Sequence, residues 1–182
     1  MRLILIYGTV EGQTQKIANE VARHLGLGAT EVRVIDANET AGEVHLQDFD
    51  GCIVAASVHQ QRYSDAVNNF VRAHVQDLNA QPTAFISVSL AASFAEGRDE
   101  AQSYVERLLE RSGWRPTMTH NAAGALRYTK YDFFQEQIIR HIVLKGRDVD
   151  ELKGEHEFTD WAALKAFADA FVNTAGNRIS RC

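Results

Sequence analysis

Tyr7-Gly8-Thr9-Val10-Glu11-Gly12-Gln13-Thr14 joins a short apolar run, Leu3 to Ile6, to an amphipathic segment that opens near Gln13. A strand that stops at glycines and hydroxyls and turns straight into a helix makes an anion site. The first helical N–H groups have no intrahelical partner and point toward the strand's carboxyl end. Gly8 and Gly12 permit tight turning and close backbone approach, while Thr9 and Thr14 add hydroxyl donors. No lysine follows the second glycine, so this is not the Gly-x-x-x-x-Gly-Lys nucleotide cradle. Nor do two glycines four apart make the Gly-x-Gly-x-x-Gly dinucleotide fingerprint. What remains is a Thr9-x-x-Gly12-x-Thr14 loop.

Outward from this loop, strand and helix patterns alternate. Gln13 to Leu25 places Ile17, Val21 and Leu25 four apart beside Ala18 and Ala22, one apolar stripe of a helix ended by Gly26-Leu27-Gly28. Val32 to Ile35 reads as a second strand ending at Asp36, an ordinary loop acid in the absence of the glycine fingerprint. Gly51 to Ser57 is nearly continuous in its apolar character, as in a parallel strand buried on both faces. The periodicity predicts helices over Asp65 to Val75, Glu100 to Ser112 and Asp160 to Thr174, the last capped by Thr159 or Asp160. Ala84 to Leu90 is the fourth strand, and a fifth falls between Thr117 and Leu126. Such alternation argues for one doubly wound α/β domain over residues 1–182: a five-stranded parallel sheet with helices on both faces.

Composition narrows the function classes. A formal net charge of −5 argues against a general nucleic-acid binder. The two cysteines, Cys52 and Cys182, form no Cys-x-x-Cys pair, and the seven histidines show no ligand spacing, so no metal site is predicted. Cys52 reads as a buried small hydrophobe. Met1-Arg2-Leu3-Ile4 runs directly into a strand without signal-peptide features, and no run spans a membrane, which implies a cytoplasmic protein.

The Thr9-x-x-Gly12-x-Thr14 loop resembles the phosphate loop of flavodoxins, which holds the monophosphate of FMN. That resemblance implies FMN as cofactor, with Thr9, Val10, Glu11, Gly12, Gln13 and Thr14 around the phosphate. Glu11 has the wrong charge for a phosphate neighbour, so its side chain is expected to point outward while backbone N–H groups of Val10 to Thr14 hold the anion. The loops after strands three and four would flank the flavin ring: Ser57, Val58, His59, Gln60, Gln61 and Tyr63 on one side, Ser89, Leu90, Ala91, Ala92, Ser93 and Phe94 on the other. Their small, hydroxyl and amide side chains suit the polar edge of a flavin. Tyr63 and Phe94 either lie against the ring or anchor their loops in the core. His59 is either a donor to flavin or substrate, or an ordinary loop histidine.

Further segments extend the resemblance along nearly the whole chain: Ala55-Ala56-Ser57, Ser89-Leu90, Ser103-Tyr104, Trp114-Arg115-Pro116, Gly124-Ala125-Leu126-Arg127-Tyr128, Tyr131 and Thr159-Asp160-Trp161. Their order is similar to the flavodoxin-like, quinone-dependent protoporphyrinogen oxidases of bacteria. The resemblance implies an FMN oxidoreductase that takes electrons from protoporphyrinogen IX, passes them to a membrane quinone and serves haem biosynthesis. It also implies an insertion before the last helix, about residues 128–157, associated with activity and membrane contact. Tyr131 to Leu144 fits an amphipathic helix, and from Arg127 to Arg147 five basic residues face two acidic ones. Such a helix either rests peripherally on the inner membrane through about 131–147 or packs on its own domain. Arg127 is the candidate for pairing with a propionate or with the flavin, and no other side chain stands out for acid–base work. The chain departs from the family at His59-Gln60-Gln61, where an Arg-Tyr-Gly-like run is common, and at its less basic fourth-strand loop and insertion. A flavodoxin-type electron carrier and a cofactor-free binding module are the alternative readings. The oligomeric state is left open.

Overall fold

Alternate residues of three apolar strands feed two different cores, which explains why those runs lack a polar face. In the computed structural model, which describes residues 1–40, 44–126 and 156–179, strand β1 (Arg2–Gly8) sends Ile4 and Ile6 to one side and Leu3, Leu5 and Tyr7 to the other. Strand β3 (Gly51–His59) divides Cys52, Val54 and Ala56 from Ile53 and Ala55 in the same way. Together with β2 (Glu31–Asp36), β5 (Thr83–Ser89) and β6 (Met118–Ala123), they form a parallel sheet in the order β2-β1-β3-β5-β6. The predicted doubly wound parallel fold is therefore present. A two-residue strand, β4 (Arg62–Tyr63), folds back antiparallel on the end of β3.

Helices α1 (Gln13–Gly26) and α6 (Trp161–Ile179) cover one face, burying Ile17, Val21, Leu164 and Phe171. Helices α3 (Asp65–Ala73), α4 (Val75–Ala80) and α5 (Arg98–Ser112) cover the other with Val67, Phe70, Leu78, Val105 and Leu108. A short α2 (Ala37–Thr40) follows β2, and Asp36 accepts from the backbone and side-chain nitrogens of Asn38, the local role expected for it.

The expected helix over Asp65 to Val75 is two helices. The backbone at His74 (φ −111°, ψ 14°) leaves the helical region, and Leu78, beyond the predicted span, is fully buried. The last helix runs to Ile179 rather than Thr174, since the fully buried Ala175 prolongs its apolar stripe. Asp160 caps it, accepting from the Ala163 N–H at 2.9 Å. The Trp114-Arg115-Pro116 segment proves to be a corner anchor. Gly113 takes the left-handed conformation (φ 71°) that closes α5, and the buried Trp114 donates from Nε1 to Thr83 Oγ1 at 3.1 Å. After β6, Gly124 leads into β7 (Ala125–Leu126), which pairs antiparallel with β8 (His156–Glu157).

Candidate functional site

The parallel register brings the carboxyl ends of four strands to one edge. Gly8 pairs with Ala56, Ser57 with Val88, and Ser89 with Ala123. Beyond that edge lies a cleft of about 50 Å³. Thr9, Val10, Glu11, Gln13 and Thr14 line it from the first loop, Ser57, Val58 and His59 from the second, and Ser89 and Leu90 from the third. The three loops singled out in the sequence thus converge. Glu11 is among the residues that line the cleft.

The first loop is shaped by its own hydrogen bonds. Gly12 sits at φ 88°, a left-handed conformation that glycine adopts without penalty, and its N–H donates to Thr9 Oγ1 at 2.9 Å. Lys16 N–H then closes the first helical turn on the Gly12 carbonyl. The N–H groups of Gln13, Thr14 and Gln15 are left without intrahelical acceptors at the positive end of α1, and no acid lies in that turn. Thr14 is fully buried and its Oγ1 has no hydrogen-bond partner. Gln13 directs its amide elsewhere: Nε2 donates to Thr159 Oγ1 at 2.9 Å, and that hydroxyl donates to the Ala123 carbonyl. Those two bonds tie the start of α1 to the end of β6 and the approach to α6.

Gly8 has a reason the sequence did not disclose. A Cβ there would lie 2.3 Å from Val67 Cγ2 and 3.1 Å from Ser64 Oγ, the hydroxyl that caps α3. Glycine at this position seats α3 against the end of β1, and Gly97 likewise lets the fourth-strand loop fold on itself, since a Cβ there would lie 2.2 Å from the Ala91 carbonyl oxygen.

Of the two readings open for Tyr63, the structure has the core anchor. The ring is buried, meets Phe85 edge-on with centroids 5.4 Å apart, and its hydroxyl shares a 2.8 Å hydrogen bond with Ser87 Oγ. Burial pushes the phenol well above its ordinary value. Phe94 lies 5.9 Å from the Phe158 ring. Gln60 and Gln61 form the tip of the β3–β4 hairpin with φ of 49° and 63° and are exposed. Gly12, Gln60, Gln61, Ala91, Ala92, Ser93 and Phe94 do not line the cleft, whereas Val88, Gly124 and Ala125 do without having been singled out as site residues. Gly124 belonged to a quoted segment, but its 3.0 Å N–H bond to the Ser89 carbonyl, which draws it to the cleft, has no sequence signal. Arg127 and the segment 131–147 lie outside the described residues. Among the described residues no cluster of metal-ligating side chains exists, and no helix is long and apolar enough to cross a membrane.

The flavodoxin domain family matches residues 4–152 of this chain. The protoporphyrinogen IX dehydrogenase [quinone] of Leishmania major is 34% identical over 175 residues, covering 94% of this chain and 74% of that protein. The enzyme of the same name from Escherichia coli strain K12 is 34% identical over 173 residues, 92% of this chain and 93% of its own length. The crystal structure of oxidised flavodoxin 2 from Bacillus cereus is similar in fold, with a TM-score of 0.57 at 16% identity over 96% of this chain and 99% of that one. Since the relatives are matched along most of their length as well as its own, this chain belongs to the flavodoxin domain family and, within it, to the quinone-dependent protoporphyrinogen oxidases.

Proposed function

We propose that the protein is an FMN-dependent oxidoreductase that oxidises protoporphyrinogen IX and delivers the electrons to a quinone. The observation that carries the cofactor reading is the Thr14 hydroxyl, fully buried and without a partner at the head of a helix whose first turn holds no acid. A buried hydroxyl left unsatisfied is costly, and a phosphate oxygen would supply its missing acceptor. The cleft is on the scale of one phosphoryl group and its stem, so it would suit the phosphate end of FMN, leaving the second and third loops to hold the ring.

When bound, FMN supplies the redox chemistry, taking up electrons and protons from the porphyrinogen and passing electrons to the quinone. The protein's share is binding, orientation and exclusion of water. The N–H groups of Gln13 to Gln15 and the Thr14 hydroxyl hold the phosphate. Glu11 opposes an anion beside it, so the anchoring falls to these uncharged donors and the helix dipole. Ser57, Val58 and His59 line the cleft with Ser89 and Leu90, and would bracket the ring's polar edge. Ser89 is held in place from behind, because its Oγ accepts from the Ala92 N–H and its carbonyl from the Gly124 N–H. Arg127 is assigned to a propionate or to the flavin, and the stretch 131–147 to peripheral contact with the cytoplasmic face of the inner membrane.

Anaerobic mixing of the FMN-loaded protein with protoporphyrinogen IX tests the reading. The flavin absorbance should bleach as porphyrin fluorescence rises, and a quinone should restore the absorbance. A flavin that stays oxidised sinks the substrate assignment and leaves an electron carrier. Flotation with anionic liposomes, with and without residues 130 to 147, tests membrane contact, and equal partitioning counts against it.

A further inference from the structure

The β3–β4 hairpin that borders the cleft also meets α5. There, Gln61 and Arg62 meet Tyr104, Arg107, Leu108 and Arg111 of α5 around a depression of about 80 Å³. Tyr104 and Leu108 are buried and form an apolar floor, whereas all three arginines are exposed at the rim. The Arg107 guanidinium lies 5.0 Å from the centroid of the Tyr104 ring, and its Nε donates to the Ser103 carbonyl at 3.3 Å. These contacts fix the guanidinium while leaving its terminal nitrogens to a ligand.

Several basic side chains of this molecule meet acids: Arg2 meets Glu31, Lys16 meets Glu157, and Arg23 and Lys165 converge on Glu20. Among the described residues, no carboxylate lies within ion-pair distance of Arg62, Arg107 or Arg111. Glu100, one turn before Tyr104, accepts instead from the Tyr104 hydroxyl. Arg111 stands in the last turn of α5, where a cation complements the helix dipole. That accounts for neither Arg107, a turn earlier, nor Arg62, on a different element.

Three arginines around one small depression repel one another until an anion joins them. The planar guanidinium fork matches a carboxylate, and a floor of Tyr104 and Leu108 matches a short alkyl stem. The volume admits that much and no more, so a macrocycle would enter by one arm only. Its position suits such an arm, because Arg62 is the register partner of His59, which lines the cleft. The groove and the cleft thus meet at one short ladder.

We propose that Arg62, Arg107 and Arg111 form a carboxylate-recognition groove that holds a carboxyalkyl side chain of the tetrapyrrole substrate, beside the flavin. This rests on the porphyrinogen reading given above.

The test compares protoporphyrin IX with its dimethyl ester, which keeps the macrocycle and removes both charges. Fluorescence titration of the FMN-loaded wild type, of R107Q/R111Q and of R62Q gives binding, and steady-state oxidation of protoporphyrinogen IX gives KM and kcat. The wild type should prefer the diacid. The variants should lose roughly ten- to a hundredfold in affinity for the diacid, the range expected for charged hydrogen bonds. Their affinity for the ester, their FMN content and their thermal midpoint should not change, and KM should rise while kcat holds. A wild type that prefers the diacid alongside variants that bind it equally well overturns this proposal alone. So does a loss that is equal for diacid and ester. A wild type that binds neither porphyrin and leaves protoporphyrinogen unoxidised overturns the substrate reading and the groove with it.

Discussion

Thr14 makes opposite demands on the protein with and without its ligand. An unpaired buried hydroxyl costs about 1–3 kcal/mol, and the nearly isosteric Thr14→Val removes that cost. The variant should therefore be more stable than wild type when flavin-free, by about 1 kcal/mol, yet bind FMN at least tenfold more weakly. Calorimetry of both forms with a flavin titration checks both signs, and a variant destabilised in each form would remove Thr14 from the phosphate site. Gln60 and Gln61 carry a different cost, since both occupy the left-handed region in a two-residue hairpin that favours Asn-Gly. Replacing them with Asn and Gly should stabilise the protein by about 1 kcal/mol and raise Tm by about 2–4 °C. The residue-scale signals were legible where chemistry repeats locally: the Thr9, Gly12 and Thr14 spacing led to the cleft. Tyr63 could not be placed from sequence, because the side a ring takes depends on Phe85 and Ser87, more than twenty residues away.

Among the elements, α3 is the one placed by a glycine outside itself. With Val67 Cγ2 only 2.3 Å from where a Gly8 Cβ would stand, Gly8→Ala overpacks the joint between β1 and α3. A loss of about 1–3 kcal/mol is expected in chemical denaturation. Val67→Ala in the same chain should recover part of it, and simple additivity of the two changes would refute the contact. The helices were readable because their stripes repeat at 3.6 residues, and the central strands because both their faces are apolar. The break at His74 was not readable, since Val71, Val75 and Leu78 would also fit a continuous helix. Nor was β7–β8, whose two-residue strands are too short to show a period and whose partners are far apart in sequence.

At the scale of the whole molecule, the two faces of the sheet differ in how their helices are tied. Helices α1 and α6 are linked by the ion pair of Lys165 with Glu20, which Arg23 of α1 also meets, and by a hydrogen bond between His24 and Asp169. Lys16 pairs with Glu157 beside them. Hydrogen bonds from Arg23, then Lys165, hold the Glu20 carboxyl down at about 2 against an ordinary 4.5. Partial burial pushes Glu157 up, but the Lys16 pair outweighs it, and its value is also lowered. A carboxyl with a depressed folded value contributes stability above about pH 4.5 and loses it as the pH falls toward 2. Thermal midpoints should therefore decline over that window, by a modest amount because these groups are exposed, and Lys165→Met should flatten the decline. The flank of α6 carries a further consequence through β7 and β8. Leu126 is the register partner of His156, so the chain just before and just after residues 127–155 meets at one point. Topologically they form a detachable cassette. Exchanging them for a linker about eight times shorter would lower the loop-closure entropy cost by about 2 kcal/mol and leave every strand of the parallel sheet in sequence. Residues 127–155 could therefore be exchanged without altering the order of the strands whose ends build the cleft.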